Sequence, residues 1–285
     1  MVFIGNDPLL SYQDDTCRRD SSKIDDNPLE WYHVGIASTF IIINSVISIS
    51  FGLNLGTSLF VSAVRCVVQL TLMGLVLEDV FKAQNPYIVF AMIFVLVFLG
   101  ANEIVLNKSK KRHAGMYLSV LLSLGVSTMI IGTIGSRFSL NQGKFWDPRI
   151  FVPTMGMLLG NGMSAIAVAT SYALNQLSEQ KEMIEMYLSF GASRWEAGRP
   201  VAVEAIRLAM LPTINAMSII GLIAIPGMMT GQIIGGAPIM DAVKYQQIIM
   251  FMISASTALG VLSSIFVSKS FKFFTYNYKQ FIHNS

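Results

Sequence analysis

The amino-acid sequence predicts an all-α, polytopic membrane protein with about seven transmembrane helices. Of its 285 residues, 53% are hydrophobic and only 13% are charged, whereas soluble domains carry about 25% charged residues. The apolar residues are spread over stretches of roughly 20 residues, the length at which a helix crosses a bilayer. These stretches lack the alternation of barrel strands, and a helix satisfies its own backbone hydrogen bonds in lipid.

The chain divides into a polar leader (residues 1–30), a transmembrane domain (residues 31–268) and a short tail (residues 269–285). The leader is acidic and has no basic start followed by an apolar stretch, so we expect a disordered segment and no cleavable signal peptide. The predicted spans, in chain order, are His33–Leu53, Thr57–Leu77, Pro86–Leu106, Met116–Ser136, Ile150–Leu174, Ala205–Ile225 and Tyr245–Val267.

Basic residues in the loops predict the orientation. Residues 107–113 read NKSKKRH, and Lys or Arg also recurs after the fifth span and in the tail. With seven spans, all three regions fall on one side, which the positive-inside rule makes the cytosol. We therefore expect a non-cytosolic leader and a cytosolic C-terminal tail in an unspecified membrane, although residues 137–149 place three basic residues on the other side.

Polar residues inside the spans are candidates for function. Arg65 lies near the middle of the second span, where a charge costs roughly 2.5–3.5 kcal/mol and needs a partner or water. Gln69 follows one turn later on the same face. Glu204 and Arg207 have the spacing of an ion pair on one helix, which favours a boundary pair. A structural and a functional role for Arg65 both stay open.

Small residues mark the fifth span. Gly156 and Gly160 form a GxxxG pattern, and Gly162, Ala165 and Ala169 extend the run of small residues. Small residues let helices approach closely in lipid, either within one bundle or across a dimer interface.

The sequence offers no catalytic constellation. It has no GxxxxGK[ST] phosphate loop, no nucleophile elbow and no HExxH motif, so we expect no enzymatic activity and no ATP hydrolysis by this chain. It also has no basic stripe with interleaved aromatic residues that would suggest nucleic-acid binding. Its methionines lack accompanying His or Cys, which favours packing over a metal site, and we expect no bound cofactor.

The segment EMYLSFGASRWEA, between the fifth and sixth spans, has the pattern of a sharp helical elbow. Helical spacing continues past Leu174, Gly191 is placed to end that helix, and Ser193 with Glu196 fits a capping box. We expect a short crosswise helix over residues 194–199, with Phe190 and Trp195 as apolar anchors. The residues alone leave two readings open, an interfacial helix on the membrane or a docking element for a cytosolic protein.

This elbow resembles the coupling helix of ATP-binding-cassette (ABC) permeases, and the chain is similar to the FetB family of half-size permeases (UPF0014). The blocks that carry the resemblance are MGMLLGNGMSAIAVA, MYLSFGASRWEAGRPVAVEAIRLAMLPTINAMSIIGLIAIPGMMTGQIIGGAP and, more weakly, VRCVVQL, within about residues 55–268. The family includes the bacterial iron-export permease and the plant aluminium-sensitivity and rice STAR permeases. The residues that the resemblance assigns to ATPase docking are Phe190, Gly191, Ala192, Ser193, Arg194, Trp195 and Glu196.

The resemblance implies the membrane subunit of an ATP-driven transporter, working as a homodimer with a separate cytosolic ATPase chain that uses ATP and Mg²⁺. The implied cargo is metal-related and exported. It also suggests that Pro226 breaks the sixth helix and that the following glycines form a gate-like segment. The candidates for the translocation path are Arg65, Gln69, Asn161, Pro226, Thr230 and Gln232. The alternatives are an ion-coupled carrier or channel without an ATPase, and a non-transporting scaffold or receptor.

Overall fold

The computed structural model describes residues 30–52, 56–83, 85–108, 116–139 and 146–269. Nearly all of the predicted leader and tail lies outside these ranges. The described residues are almost entirely helical, as the sequence predicts. The helices are α1 (Trp31–Ser50), α2 (Gly56–Ala83), α3 (Pro86–Asn102), α4 (Met116–Ile134), α5 (Pro148–Glu179), α6 (Lys181–Ser189), α7 (Arg194–Ile219), α8 (Gly227–Ile234) and α9 (Ile239–Lys269), with π-helical turns after α3 (Glu103–Lys108) and α4 (Gly135–Ser139).

Seven of these helices are long and apolar enough to cross a membrane, which confirms the predicted number of spans. They are α1 to α5, α7 and α9; α6 and α8 are too short. The loop charges that set the predicted orientation lie largely in residues 109–115 and 270–285, outside the described residues. The orientation therefore stays a prediction.

The chain forms two compact units, of which the first is residues Met1–Asp79. Its described part holds α1 and most of α2. Glu30 is the N-cap of the first helix, and its backbone N–H donates to the His33 ring at 3.2 Å. Gly52 at φ +64° follows the end of this helix. A Cβ atom on Gly56 would lie only 3.3 Å from the Ser45 carbonyl oxygen, so glycine lets the first residue of α2 lie against α1.

The second unit, Val80–Ser285, is a helical bundle built around α5. This helix begins where Asp147 accepts a hydrogen bond from the Arg149 N–H at 3.1 Å, with Pro148 in the first helical position. It packs against α3, α4, α7 and α9. The side chains of Phe151, Leu158 and Ile166 are fully buried in this core.

Small and hydroxyl-bearing residues form the seam between α4 and α9. Gly260 of α9 lies directly against Ser127 of α4, since a Cβ atom at Gly260 would be 3.0 Å from the Ser127 Oγ. Without a hydrophobic force between helices in lipid, such close backbone contact is a main source of packing energy. The buried hydroxyl residues on these two helices are Ser119, Ser123, Ser127, Thr128, Ser256, Thr257 and Ser264.

Three predicted details are wrong. The helix of the sixth span is Arg194–Ile219, not Ala205–Ile225. The helix of the fifth span ends at Glu179, because Gln180 leaves the helical conformation (φ −98°, ψ 28°), and α6 follows as a separate helix. Gly162, Ala165 and Ala169 are buried, whereas Gly156 and Gly160 are exposed, so the small residues of α5 lie on two faces.

Candidate functional site

The turn between α6 and α7 has the backbone that the sequence predicts. Gly191 adopts φ +85°, a conformation that side chains with a Cβ disfavour. Its N–H donates to the Leu188 carbonyl at 3.1 Å, and the Ala192 N–H donates to the Tyr187 carbonyl at 3.1 Å. These two bonds form a Schellman motif, which ends α6 and reverses the chain. The prediction that Gly191 ends the helix is confirmed.

A capping box starts α7 immediately after this turn. The Glu196 N–H donates to Ser193 Oγ at 3.3 Å, and the Ser193 N–H donates to Glu196 Oε2 at 2.7 Å. Each side chain thus accepts a hydrogen bond from the backbone N–H of the other residue, as predicted. Arg194 is the first helical residue.

Residues 194–199 do not form a separate crosswise helix, which corrects the prediction. They are the first turns of α7, which continues through Pro200 and Pro212 to Ile219. The buried residues Ala197, Val201 and Ala205 lie on one face of this segment, and α7 packs against α5. This packing outweighs the helix-breaking tendency of Pro200.

The two aromatic residues of the turn differ in their contacts. The Phe190 side chain is 82% exposed. Trp195 is 40% exposed, and its ring stacks on Phe266 of α9, with 5.3 Å between ring centroids and 19° between planes. Trp195 therefore fixes the turn to α9, a contact that sequence reasoning missed because Phe266 lies in another span.

The short helix α6 is the element that sequence reasoning did not separate from α5. Ile184 is its buried residue. Met183, Met186, Tyr187 and Phe190 are exposed and recur at the three- and four-residue spacing of one helical face. The elbow therefore presents an apolar stripe along α6 in addition to the turn.

The connection between α7 and α9 contains a helix rather than only irregular backbone. The sixth span ends at Ile219, with Gly221 at φ +91°, so Pro226 does not break it. Pro226 instead precedes α8, and its carbonyl accepts hydrogen bonds from the N–H of Thr230 at 3.1 Å and its Oγ1 at 3.3 Å. Thr230 is exposed and Gln232 is half-buried. A second Schellman motif at Gly236 (φ +85°) ends α8, which packs against α9.

The remaining candidates for the path lie on two units. Arg65 and Gln69 are exposed on α2 in the first unit. Asn161 is exposed on α5 in the second unit, where its Nδ2 donates to the Met157 carbonyl at 2.9 Å. Among the described residues, no three His, Cys, Asp or Glu side chains are grouped as metal ligands would be. A shared path through these residues stays a prediction.

Comparison with known proteins assigns this chain to a family. Residues 31–273 match the profile of an uncharacterised protein family, UPF0014. The chain is 29% identical over 235 residues to the UPF0014 membrane protein YjkA of Bacillus subtilis (strain 168), covering 81% of this chain and 90% of the relative. No solved structure matches the chain.

Two further relatives have informative names. The chain is 28% identical over 242 residues to the protein ALUMINUM SENSITIVE 3 of Arabidopsis thaliana, covering 82% of this chain and 85% of that protein. It is 25% identical over 235 residues to the probable iron export permease protein FetB of Escherichia coli (strain K12), covering 82% and 89%. The chain is thus a multi-pass, permease-like integral membrane protein, and it belongs to the UPF0014 family.

Proposed function

We propose that this chain is the membrane-spanning permease subunit of an ATP-driven transporter, which a separate ATPase chain drives through α6 and the α6–α7 turn. The observation that carries the proposal is the exposed apolar stripe of α6, which ends in Phe190 at a rigid, doubly capped turn. Exposed aromatic residues on a fixed backbone are the groups that dominate protein–protein contacts. The methionines of the stripe add an adaptable surface.

The proposed cargo rests only on the names of the relatives. Because one relative is named a probable iron export permease, we propose metal-related export as the activity. We further propose that two copies of this chain assemble with two ATPase subunits, since each copy offers one α6 and one turn.

The experiment that tests the proposal compares Phe190 with Phe138, a phenylalanine of similar exposure. The tagged chain is purified in mild detergent, and the ATPase retained with it is quantified for the wild type and for Phe190→Ala. The control is Phe138→Ala, because Phe138 is also highly exposed but precedes α5, whereas Phe190 follows it. We expect Phe190→Ala to reduce retention by about 30-fold, as for a residue worth roughly 2 kcal/mol at an interface, and Phe138→Ala to leave it unchanged.

The rival is an ion-coupled carrier or channel that needs no ATPase. It predicts flux into vesicles without ATP and equal behaviour of the two phenylalanine variants. If no ATPase with a Walker motif is retained and ATP does not alter flux, the rival replaces the proposal. If no condition gives flux, a scaffold or receptor is the better reading.

A further inference from the structure

The outer surface of the second unit has an apolar part on α3 and α4. The exposed residues of α4 are Leu118, Leu122, Val126, Ile130 and Ile134, at four-residue spacing. The exposed residues of α3 are likewise apolar or aromatic, with Phe94, Val95, Phe98 and Leu99 among them. Such unbroken apolar faces are suited to contact with lipid tails.

The outer faces of α5 and α7 are different. On α5, Gly156, Gly160 and Ser164 are exposed at four-residue spacing, beside Asn161. A Cβ atom on either glycine would meet nothing within 4 Å, so this part of α5 is flat and open. The α5 helix packs against α7.

An ion pair lies on the outer face of α7. Arg207 and Glu204 approach to 3.8 Å between Nη1 and Oε2, and their side chains are 73% and 42% exposed. Both belong to the sixth span. Arg207 lies about 18 Å along the helix from both Trp195 and Ile219, so it is at the middle of this candidate span.

Lipid is an unfavourable neighbour for this pair. A charge near the centre of a span costs roughly 2.5–3.5 kcal/mol, and such charges face the interior of a bundle or water. In the second unit the two side chains stay exposed, so a polar surface from outside this unit would lower the cost of the pair in the membrane. The exposed residues along the same stripe, Val203, Leu211 and Ile214, provide apolar contact around the pair.

We propose that this face of α7, with the glycines of α5 beside it, contacts the same face of a second copy of the chain, and that Arg207 of each copy pairs with Glu204 of the other. A twofold contact brings a surface against itself, so it is favourable only if the surface is self-complementary. The α7 face carries both signs of charge one turn apart and meets this condition. The inference rests on the proposed function, because it names the dimer face that such a transporter needs.

Charge reversal tests whether Arg207 of one copy pairs with Glu204 of the other. Two differently tagged full-length chains are co-expressed, one with Arg207→Glu and one with Glu204→Arg. A dimer of identical variants then has like charges at the contact, whereas a mixed dimer has opposite charges. We expect the ratio of mixed dimers to dimers of identical variants to exceed the ratio among co-expressed wild-type chains by about fivefold, which corresponds to roughly 1 kcal/mol. Statistical mixing would overturn the proposal.

A second ion pair of the same spacing serves as the control. Asp241 and Lys244 on α9 approach to 3.4 Å and are comparably exposed. Co-expression of Asp241→Lys with Lys244→Glu should give statistical mixing. An equal excess of mixed dimers for this pair would show a general charge effect and would contradict the proposed face.

Cysteine crosslinking gives a second readout for the case that the charge variants do not accumulate. In a chain with Cys17→Ser and Cys66→Ser, Ile214→Cys should crosslink between two copies in native membranes, whereas Val126→Cys on α4 should not. Absence of the Ile214 crosslink, or equal crosslinking at both positions, would overturn the proposal. This result does not depend on an ATPase, so it can fail while ATPase retention through Phe190 stands, and the reverse also holds.

Discussion

Phe190 and Trp195 stand on either side of one positive-φ glycine, Gly191, and their surroundings differ. Phe190 directly follows α6 and remains exposed, whereas Trp195 is the second residue of α7 and stacks on Phe266. The Schellman motif and the capping box between them satisfy successive backbone donors, so the turn is rigid without being buried. A rigid exposed turn loses little conformational entropy when it binds a partner.

Gly191→Ala should destabilise this turn. Its φ of +85° is disfavoured for a residue with a Cβ by roughly 1–2 kcal/mol, although the position has open space around it. We expect a lower thermal unfolding temperature in detergent and weaker ATPase retention. Gly74→Ala, in the interior of α2 and also in open space, is the control, where helix propensity predicts no loss. Equal behaviour of the two variants would argue against strain at Gly191.

Helices α4 and α9 show how the membrane-embedded elements are held together. Their contact relies on Gly260, Ser127 and further small or hydroxyl-bearing residues rather than on large apolar side chains. Because lipid tails are as apolar as leucine, close van der Waals contact carries this interface. The interface is therefore sensitive to added volume.

Gly260→Leu should disrupt the seam. The new Cβ atom would lie 3.0 Å from Ser127 Oγ and 3.3 Å from Ile166 Cδ1, and overpacking of a buried site costs about 1–3 kcal/mol. We expect a lower unfolding temperature and faster proteolysis in detergent. Ala255→Leu adds comparable volume to an exposed position of α9 and should have no such effect. If both variants behave alike, the seam is looser than the contacts indicate.

Sequence reasoning predicted the seven spans and the caps of the α6–α7 turn because both depend on local signals, apolar length and capping residues. It missed the break at Gln180 and the continuation of α7 through Pro200, since both depend on packing between distant segments. It also assigned the helix break to Pro226, whereas the positive φ of Gly221 marks the end of α7. The Trp195–Phe266 stack could not be predicted because it joins two spans.

The helix α5 is long enough to connect the two sides of a membrane. Its 32 residues extend for about 48 Å, which exceeds the hydrocarbon thickness of about 30 Å. Phe138 comes shortly before this helix and Phe190 shortly after it. The predicted orientation therefore places these two phenylalanines on opposite sides.

Labelling of single cysteines should report this sidedness. In a chain with Cys17→Ser and Cys66→Ser, Phe190→Cys should react with a membrane-impermeant maleimide from the cytosolic side, and Phe138→Cys from the other side. Sealed vesicles of both orientations provide the measurement. Labelling of Phe190→Cys from the non-cytosolic side would reverse the predicted topology and remove α6 from the reach of a cytosolic ATPase.

The stack of Trp195 on Phe266 has a consequence for α9 as a rigid body. Phe266 is near one end of this 31-residue helix, about 40 Å from its first residue, Ile239, and α8 also packs against α9. Gly260 and buried residues such as Ile249 hold α9 in the bundle between these ends. In the proposed transporter, we expect a movement of the α6–α7 turn to reach α9 directly through Trp195, so that α9 tilts as one rigid helix.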